Sequence, residues 1–229
     1  MKLKLVKKTL ESRGTKSFFW EPEKEVDYLP GQFFYYTLPK LDYPDSRGAT
    51  RHFTIASSPT EGDILRLTTR IREESGYKKT LDEIKVGDTI EGEGTNGTFI
   101  FDEKEGGNHV FLAGGIGITP FRSMLKYIID KNLQNNIQLI YSNSDNDFAF
   151  KDELMKWDKD QENIKIDFFD SSKSGHLDKD SIKKLASDKL STDTFWVVGP
   201  PPFVSGVEDA LEQLKVSSDR IRSEKFTGY

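Results

Sequence analysis

Cysteine is absent from the 229-residue chain. That excludes disulfides, thiolate-held zinc and cysteine-ligated iron–sulfur clusters, and it fits a reducing compartment. Histidine is scarce. His52, His109 and His176 are scattered without metal-ligand spacing, and their order supports no Ser–His–Asp set, so no metal is expected. No apolar run approaches the length needed to span a bilayer, and lysines interrupt the segment Met1 to Lys8 too often for a signal-peptide core. The expectation is a cytoplasmic protein without membrane insertion. An excess of basic charge is also missing. Lys and Arg number 33 against 38 Asp and Glu, and neither half of the chain is basic, which gives nucleic-acid binding no support. Paired acids such as Glu73-Glu74 read as a solvated turn.

What is present changes character midway. Leu3 and Leu5 alternate with lysines, and Phe33 to Leu38, Arg51 to Ala56, Ile64 to Ile71 and Thr89 to Glu93 are short extended runs. Turn signals separate them, among them Pro30-Gly31, Ser58-Pro59, Gly87-Asp88 and Asn96-Gly97. This spacing predicts a small barrel or sandwich, interrupted by a helix over Lys78 to Ile84. A linker is expected at Glu103 to Asn108. Beyond it, apolar strands at Val110, Ile137, Ile164 and Phe195 alternate with helical spacing at Phe121, Met124, Leu125 and Ile128, near Phe150 to Trp157, at Ile182 to Leu185 and at Val204 to Leu214. That alternation predicts a parallel sheet flanked by helices. The expected domains are 1–104 and 105–229.

Two loops of the second half have the chemistry of a nucleotide site. Ala113-Gly114-Gly115-Ile116-Gly117-Ile118-Thr119-Pro120 runs from a strand into a helix. Glycines allow close backbone approach, Thr119 is expected to cap the helix, and the helix start suits a phosphate or polar amide. Val197-Val198-Gly199-Pro200-Pro201-Pro202 ends a later strand, where open parallel sheets bind ligands. The first alone is weak evidence and departs from the usual dinucleotide fingerprint, with proline in place of its final glycine, and the second alone is equally a stiff strand–helix connection; together they favour a shared crevice.

Arg51-His52-Phe53-Thr54-Ile55-Ala56-Ser57-Ser58-Pro59 resembles the flavin-binding strand of the ferredoxin–NADP⁺ reductase superfamily, whose pattern is Arg, any residue, aromatic, Ser or Thr. Pro30-Gly31-Gln32-Phe33 resembles the preceding strand signature. The Gly114 to Pro120 loop, Gly199-Pro200-Pro201 and the ending Glu224-Lys225-Phe226-Thr227-Gly228-Tyr229 resemble later motifs of the same superfamily, in the same order. The resemblance implies an antiparallel Greek-key β-barrel holding FAD, then a five-stranded parallel α/β domain holding NAD(P). Arg51 would face the FAD pyrophosphate; otherwise it is a salt-bridge residue. His52 lies within the motif, Phe53 would pack on the flavin or its ribityl side, and Thr54 would hydrogen-bond near N5. Ser75-Gly76-Tyr77-Lys78 resembles the segment whose N–H groups hold the pyrophosphate, which selects FAD over FMN. Thr69 and Arg70 match cofactor-lining positions.

In the second domain the resemblance places Gly115, Gly117 and Thr119 against the nicotinamide half, with Gly199 and Pro200 as its wall. Val198 stands where many relatives carry cysteine. Ser142, Asn143, Ser144 and Asp145 resemble the loop that reads the adenosine ribose; without an arginine they favour NADH over NADPH, unless Lys151 reaches in. Glu224 resembles an acid near the flavin. Phe226, or in its place Tyr229, would cover the flavin face. The expected protein is a reductase passing electrons from NAD(P)H through FAD to a separate acceptor: ferredoxin, flavodoxin, a redox subunit or free flavin. The alternatives are a non-catalytic or electron-relay flavin subunit of a larger complex, and a nucleotide-binding regulator.

Overall fold

The computed structural model describes residues 1–227. They fall into two compact units: Met1–Phe101 together with Arg122–Tyr127, and Asp102–Phe121 together with Ile128 onward.

The first unit is a six-stranded antiparallel sheet. Its strands are β1 (Lys2–Ser12), β2 (Thr15–Pro22), β3 (Phe33–Thr37), β4 (Thr50–Thr54), β5 (Leu65–Arg70) and β6 (Thr89–Asn96), in the order β4-β3-β6-β1-β2-β5. A bridge between Ile55 and Leu67 ties one edge to the other and closes the barrel. Helix α1 (Gly76–Glu83) lies between β5 and β6. Strand alternation decides what is inside: Leu3 and Leu5 are buried while Lys2 and Lys4 are exposed. Phe18, Trp20, Phe34, Tyr36, Leu67, Tyr77 and Leu81 fill the core. Each such side chain removed from water contributes about 1.5–3 kcal/mol before the entropy of ordering is counted. Strand β2 has no counterpart among the runs read from the sequence. Its Phe18-Phe19-Trp20 triplet is continuous rather than alternating, and Gly14, at φ +69°, makes the turn that folds it back on β1.

The second unit is a five-stranded parallel sheet, β11-β10-β7-β8-β9. Its chain order is β7 (His109–Gly114), α2 (Ile118–Asp130), β8 (Ile137–Asn143), α3 (Lys151–Asp160), β9 (Ile164–Asp170), α4 (Ser171–Ser174), α5 (Lys179–Ala186), β10 (Thr194–Gly199), α6 (Pro201–Gln213) and β11 (Ile221–Lys225). Helix α6 buries Val204, Val207, Ala210 and Leu211, one face at helical period. Strand β7 is buried throughout, as a strand covered on both faces must be. From β7 the chain runs to β8 on one side, while β10 lies on the other, so the topological switch point falls between β7 and β10. Among the described residues no helix is long and apolar enough to cross a membrane.

Candidate functional site

In the first unit, β4 and the start of α1 bring together Arg51, Phe53, Ser75, Gly76, Tyr77 and Lys78. Arg51 is buried, and its guanidinium serves the loop before β4 and the first residue of that strand. Nη1 donates to the carbonyls of Arg47, Gly48 and Thr50 at 2.9, 2.9 and 2.7 Å, and Nη2 lies 2.5 Å from Asp45 Oδ1. Its face also covers the Tyr77 ring, 5.2 Å from the centroid. Tyr77 itself is core: its hydroxyl donates to the Tyr36 carbonyl at 3.0 Å, and burial pushes its pKa well up. Phe53 is half-buried beside Tyr36 and Tyr77. His52 points to the other face of β4, against Phe33 and Tyr35, as strand alternation requires. Burial, then Arg47 and Arg51, lowers the His52 pKa. Thr54 and Thr69 are buried, and Arg70 is exposed at the end of β5.

Ser75 is the N-cap of α1 and accepts from the Lys78 amide. Lys78 is buried. Burial first, then Arg72, Arg47 and Arg51, brings its pKa down to about 8, with Glu74 opposing. The middle of α2 adds a second buried charge. Arg122 forms a two-point pair with Glu61 and donates to the Ala56 carbonyl at 3.0 Å, and Ser123 Oγ donates to the Ser57 carbonyl at 2.7 Å. Neither Asp45 nor the Glu61–Arg122 pair carried a sequence signal.

In the second unit the nucleotide loops meet at the switch point. After β7, a 3₁₀ turn over Gly115–Gly117 leads into α2. Helix α2 begins at Ile118, so Thr119 lies inside its first turn and is not the cap; its hydroxyl donates to the Ile116 carbonyl at 3.1 Å. A methyl group on Gly117 would lie 2.3 Å from the Val198 carbonyl oxygen. A methyl on Gly114 or Gly199 would meet the Phe203 ring at 2.6 or 2.8 Å, so that ring lies over both strand ends. Phe203 was not singled out in the sequence, because a phenylalanine entering an amphipathic helix reads as core. Pro200 precedes α6 and takes the N-cap position.

At the end of β8, Ser142 is buried. Asn143 turns its amide into its own loop, donating to Asp145 Oδ1 at 2.9 Å and to the Asp147 carbonyl at 3.2 Å; the Asp147 amide also donates to Asp145 Oδ1. Lys151 Nζ sits over the Phe148 ring. On β11, Glu224 is paired with Val198, and the Phe226 amide donates to the Gly199 carbonyl at 2.9 Å. Glu224 and the half-buried Phe226 therefore flank the second glycine loop. Tyr229 lies outside the described residues.

Burial raises the Glu224 pKa to about 7. An unfolded glutamate ionises near 4.3, so the folded state retains a proton that the unfolded chain has lost. Stability should fall as pH rises from about 4.3 to about 7 and level off above. Glu224→Gln should flatten that part of the profile. Thermal unfolding of both proteins across this range checks it, and an unchanged slope in the variant would refute the assignment.

Two family models match the chain: the oxidoreductase FAD-binding domain over residues 2–101 and the oxidoreductase NAD-binding domain over residues 111–209. The chain is 25% identical to a flavohemoprotein of Oceanobacillus iheyensis over 97% of its own length and 58% of that protein's. It is 28% identical to the anthranilate 1,2-dioxygenase electron transfer component of Acinetobacter baylyi, over 89% of its length and 59% of the relative's. It thus spans about three fifths of these curated relatives. The structure superposes on ferredoxin–NADP⁺ reductase from Plasmodium falciparum with a TM-score of 0.80 and 23% identity, covering 98% of this chain and 95% of that one. With a closed antiparallel barrel under one domain model and a parallel sheet under the other, the chain belongs to the ferredoxin–NADP⁺ reductase-like flavoprotein oxidoreductases, an FAD-binding domain followed by an NAD-binding domain.

Proposed function

We propose that this chain is an NADH-dependent reductase. FAD is held by the first domain (1–104) and NADH by the second (105–229), and the electrons leave to a separate acceptor, a redox protein or a small molecule. The observation that carries this reading is the glycine-lined switch point, where Gly114, Gly117 and Gly199 admit no side chain and Glu224 stands alongside. FAD supplies the chemistry of taking a hydride and passing electrons on.

The residues present fit that cofactor. The cations about Lys78 suit a diphosphate, whose negative charge would relieve their mutual repulsion. Phe53 offers a half-buried ring, and Thr54 a hydroxyl one residue further along β4. Glu224, ionising near neutrality, holds or releases a proton at its carboxyl. A relative named as an electron transfer component favours an acceptor on another molecule.

The preference for NADH follows from Asp145, whose carboxylate is fixed by Asn143 and Asp147 at the end of β8. It would repel a 2′-phosphate and suit a 2′-hydroxyl. Purified protein should be yellow and release FAD on denaturation, and NADH should bleach it anaerobically at lower concentration than NADPH. Asp145→Arg should shift the preference toward NADPH. A colourless protein that FAD does not reconstitute, or released FMN, would sink the flavin assignment. Faster reduction by NADPH would sink the nucleotide assignment alone.

A further inference from the structure

We infer that Phe203 is a positioning residue for the nicotinamide: its ring holds the end of β10 against the end of β7 and so sets the opening that the nicotinamide enters. This rests on the reductase reading above and adds a residue to the same site. The geometry starts at the helix. Pro200 caps α6, and Pro201 and Pro202 fill its first two positions. Proline fixes φ, so the third residue, Phe203, leaves the loop in a set direction. It is half-buried, packed on the core beneath α6 and over the strand ends.

The ring occupies the side-chain space of two strands. A methyl on Gly114 would lie 2.6 Å from two of its carbons, and a methyl on Gly199 would lie 2.8 Å from one of them. The Gly199 methyl would also stand 3.1 Å from the Gly114 Cα, because β7 and β10 are neighbours. Gly117 closes on the same residue: its methyl would stand 2.9 Å from the Gly199 Cα. Gly199 is thus held by a ring and by a turn. Its carbonyl accepts from the Phe226 amide at 2.9 Å, and Val198 just before it pairs with Glu224. A shift at Gly199 therefore carries Phe226 and Glu224 with it.

The wall made by Phe203 and the prolines is apolar. Pro201 and Pro202 have no N–H, so α6 offers a phosphate no amide at its first two positions. The neutral dihydronicotinamide ring suits such a wall, and the diphosphate does not.

The test is anaerobic stopped-flow reduction of the FAD-loaded protein by NADH, beside inhibition by ADP-ribose, which keeps the adenosine diphosphate and lacks nicotinamide. Wild type must be reduced by a nicotinamide dinucleotide; if it is not, the reductase reading itself fails. Phe203→Ala should lower the limiting rate about tenfold to a hundredfold, the scale of a misplaced reacting group, and leave inhibition by ADP-ribose unchanged. Phe203→Leu keeps apolar bulk and should recover most of the rate. Gly114→Ala should also be slow. The double variant Gly114→Ala, Phe203→Ala should be faster than Gly114→Ala alone, since the added methyl then has room. Flavin content and unfolding temperature of each variant control for folding. An unchanged limiting rate in Phe203→Ala overturns the inference. So does a parallel loss of ADP-ribose inhibition, or a double variant no faster than Gly114→Ala.

Discussion

Replacing Arg122 with alanine should destabilise the protein by about 1–3 kcal/mol, because a buried guanidinium is lost and the Ala56 carbonyl is left without its donor. Arg122 is 2% exposed, and its guanidinium holds both Glu61 oxygens and the Ala56 carbonyl. Glu61 is exposed, so its carboxylate is left in water and the cost arises on the Arg122 side of the pair. Burial raises the Glu61 pKa, but the Arg122 hydrogen bonds and charge, with the Ser58 amide, outweigh it and leave the group lowered. Its contribution is therefore present above the unfolded value near 4.3 and is lost as pH falls through the lower folded value. Urea unfolding at neutral pH and at acid pH reads both effects. A loss under about 1 kcal/mol would place the pair among surface bridges of little worth.

Gly117→Ala should nearly abolish reduction of the bound flavin by NADH. The added methyl would stand 2.3 Å from the Val198 carbonyl oxygen and 2.9 Å from the Gly199 Cα, both main-chain atoms that cannot rotate away. Either the 3₁₀ turn or the end of β10 must move. Overpacking of this kind costs about 1–3 kcal/mol, and the displaced backbone is the one proposed above to lie against the dinucleotide. Stopped-flow reduction should slow by at least tenfold, roughly the kinetic equivalent of 1.4 kcal/mol, while flavin content stays at the wild-type level. Flavin content is the control, since the first unit does not contain Gly117. Near-normal reduction would show that the loop tolerates the shift.

Much of this architecture was legible in the residues, for identifiable reasons. The glycine loops could be read because close approach leaves only one residue type possible, as Gly117 and Gly199 now illustrate. The parallel sheet could be read because strands buried on both faces are continuously apolar, as at Val110 to Ala113. Strand β11 was not legible from pattern: Ile221-Arg222-Ser223-Glu224-Lys225 is an edge strand with little apolar character, and only the family resemblance implied a fifth strand. Thr119 lies two positions past the cap, because the chain enters α2 directly from the Gly115–Gly117 turn and not at Pro120. Asp45 and Glu61 were invisible because their importance comes from partners distant in sequence, Ser75 and Tyr77 for one and Arg122 for the other. No local period or propensity encodes such a meeting.

Arg122–Tyr127 packs with the first compact unit, and this limits how the protein can be taken apart. A fragment cut in the Glu103 to Asn108 region would carry the whole barrel sheet yet lack Arg122 and Ser123, leaving Glu61, the Ala56 carbonyl and the Ser57 carbonyl without the groups they bind. The barrel is continuous in space but not in sequence. A chimera that grafts a different nucleotide domain after the linker would have to bring an arginine and a serine at matching positions of its first helix. Exchange of modules by recombination at the linker is therefore restricted to donors whose first helix already carries that pair.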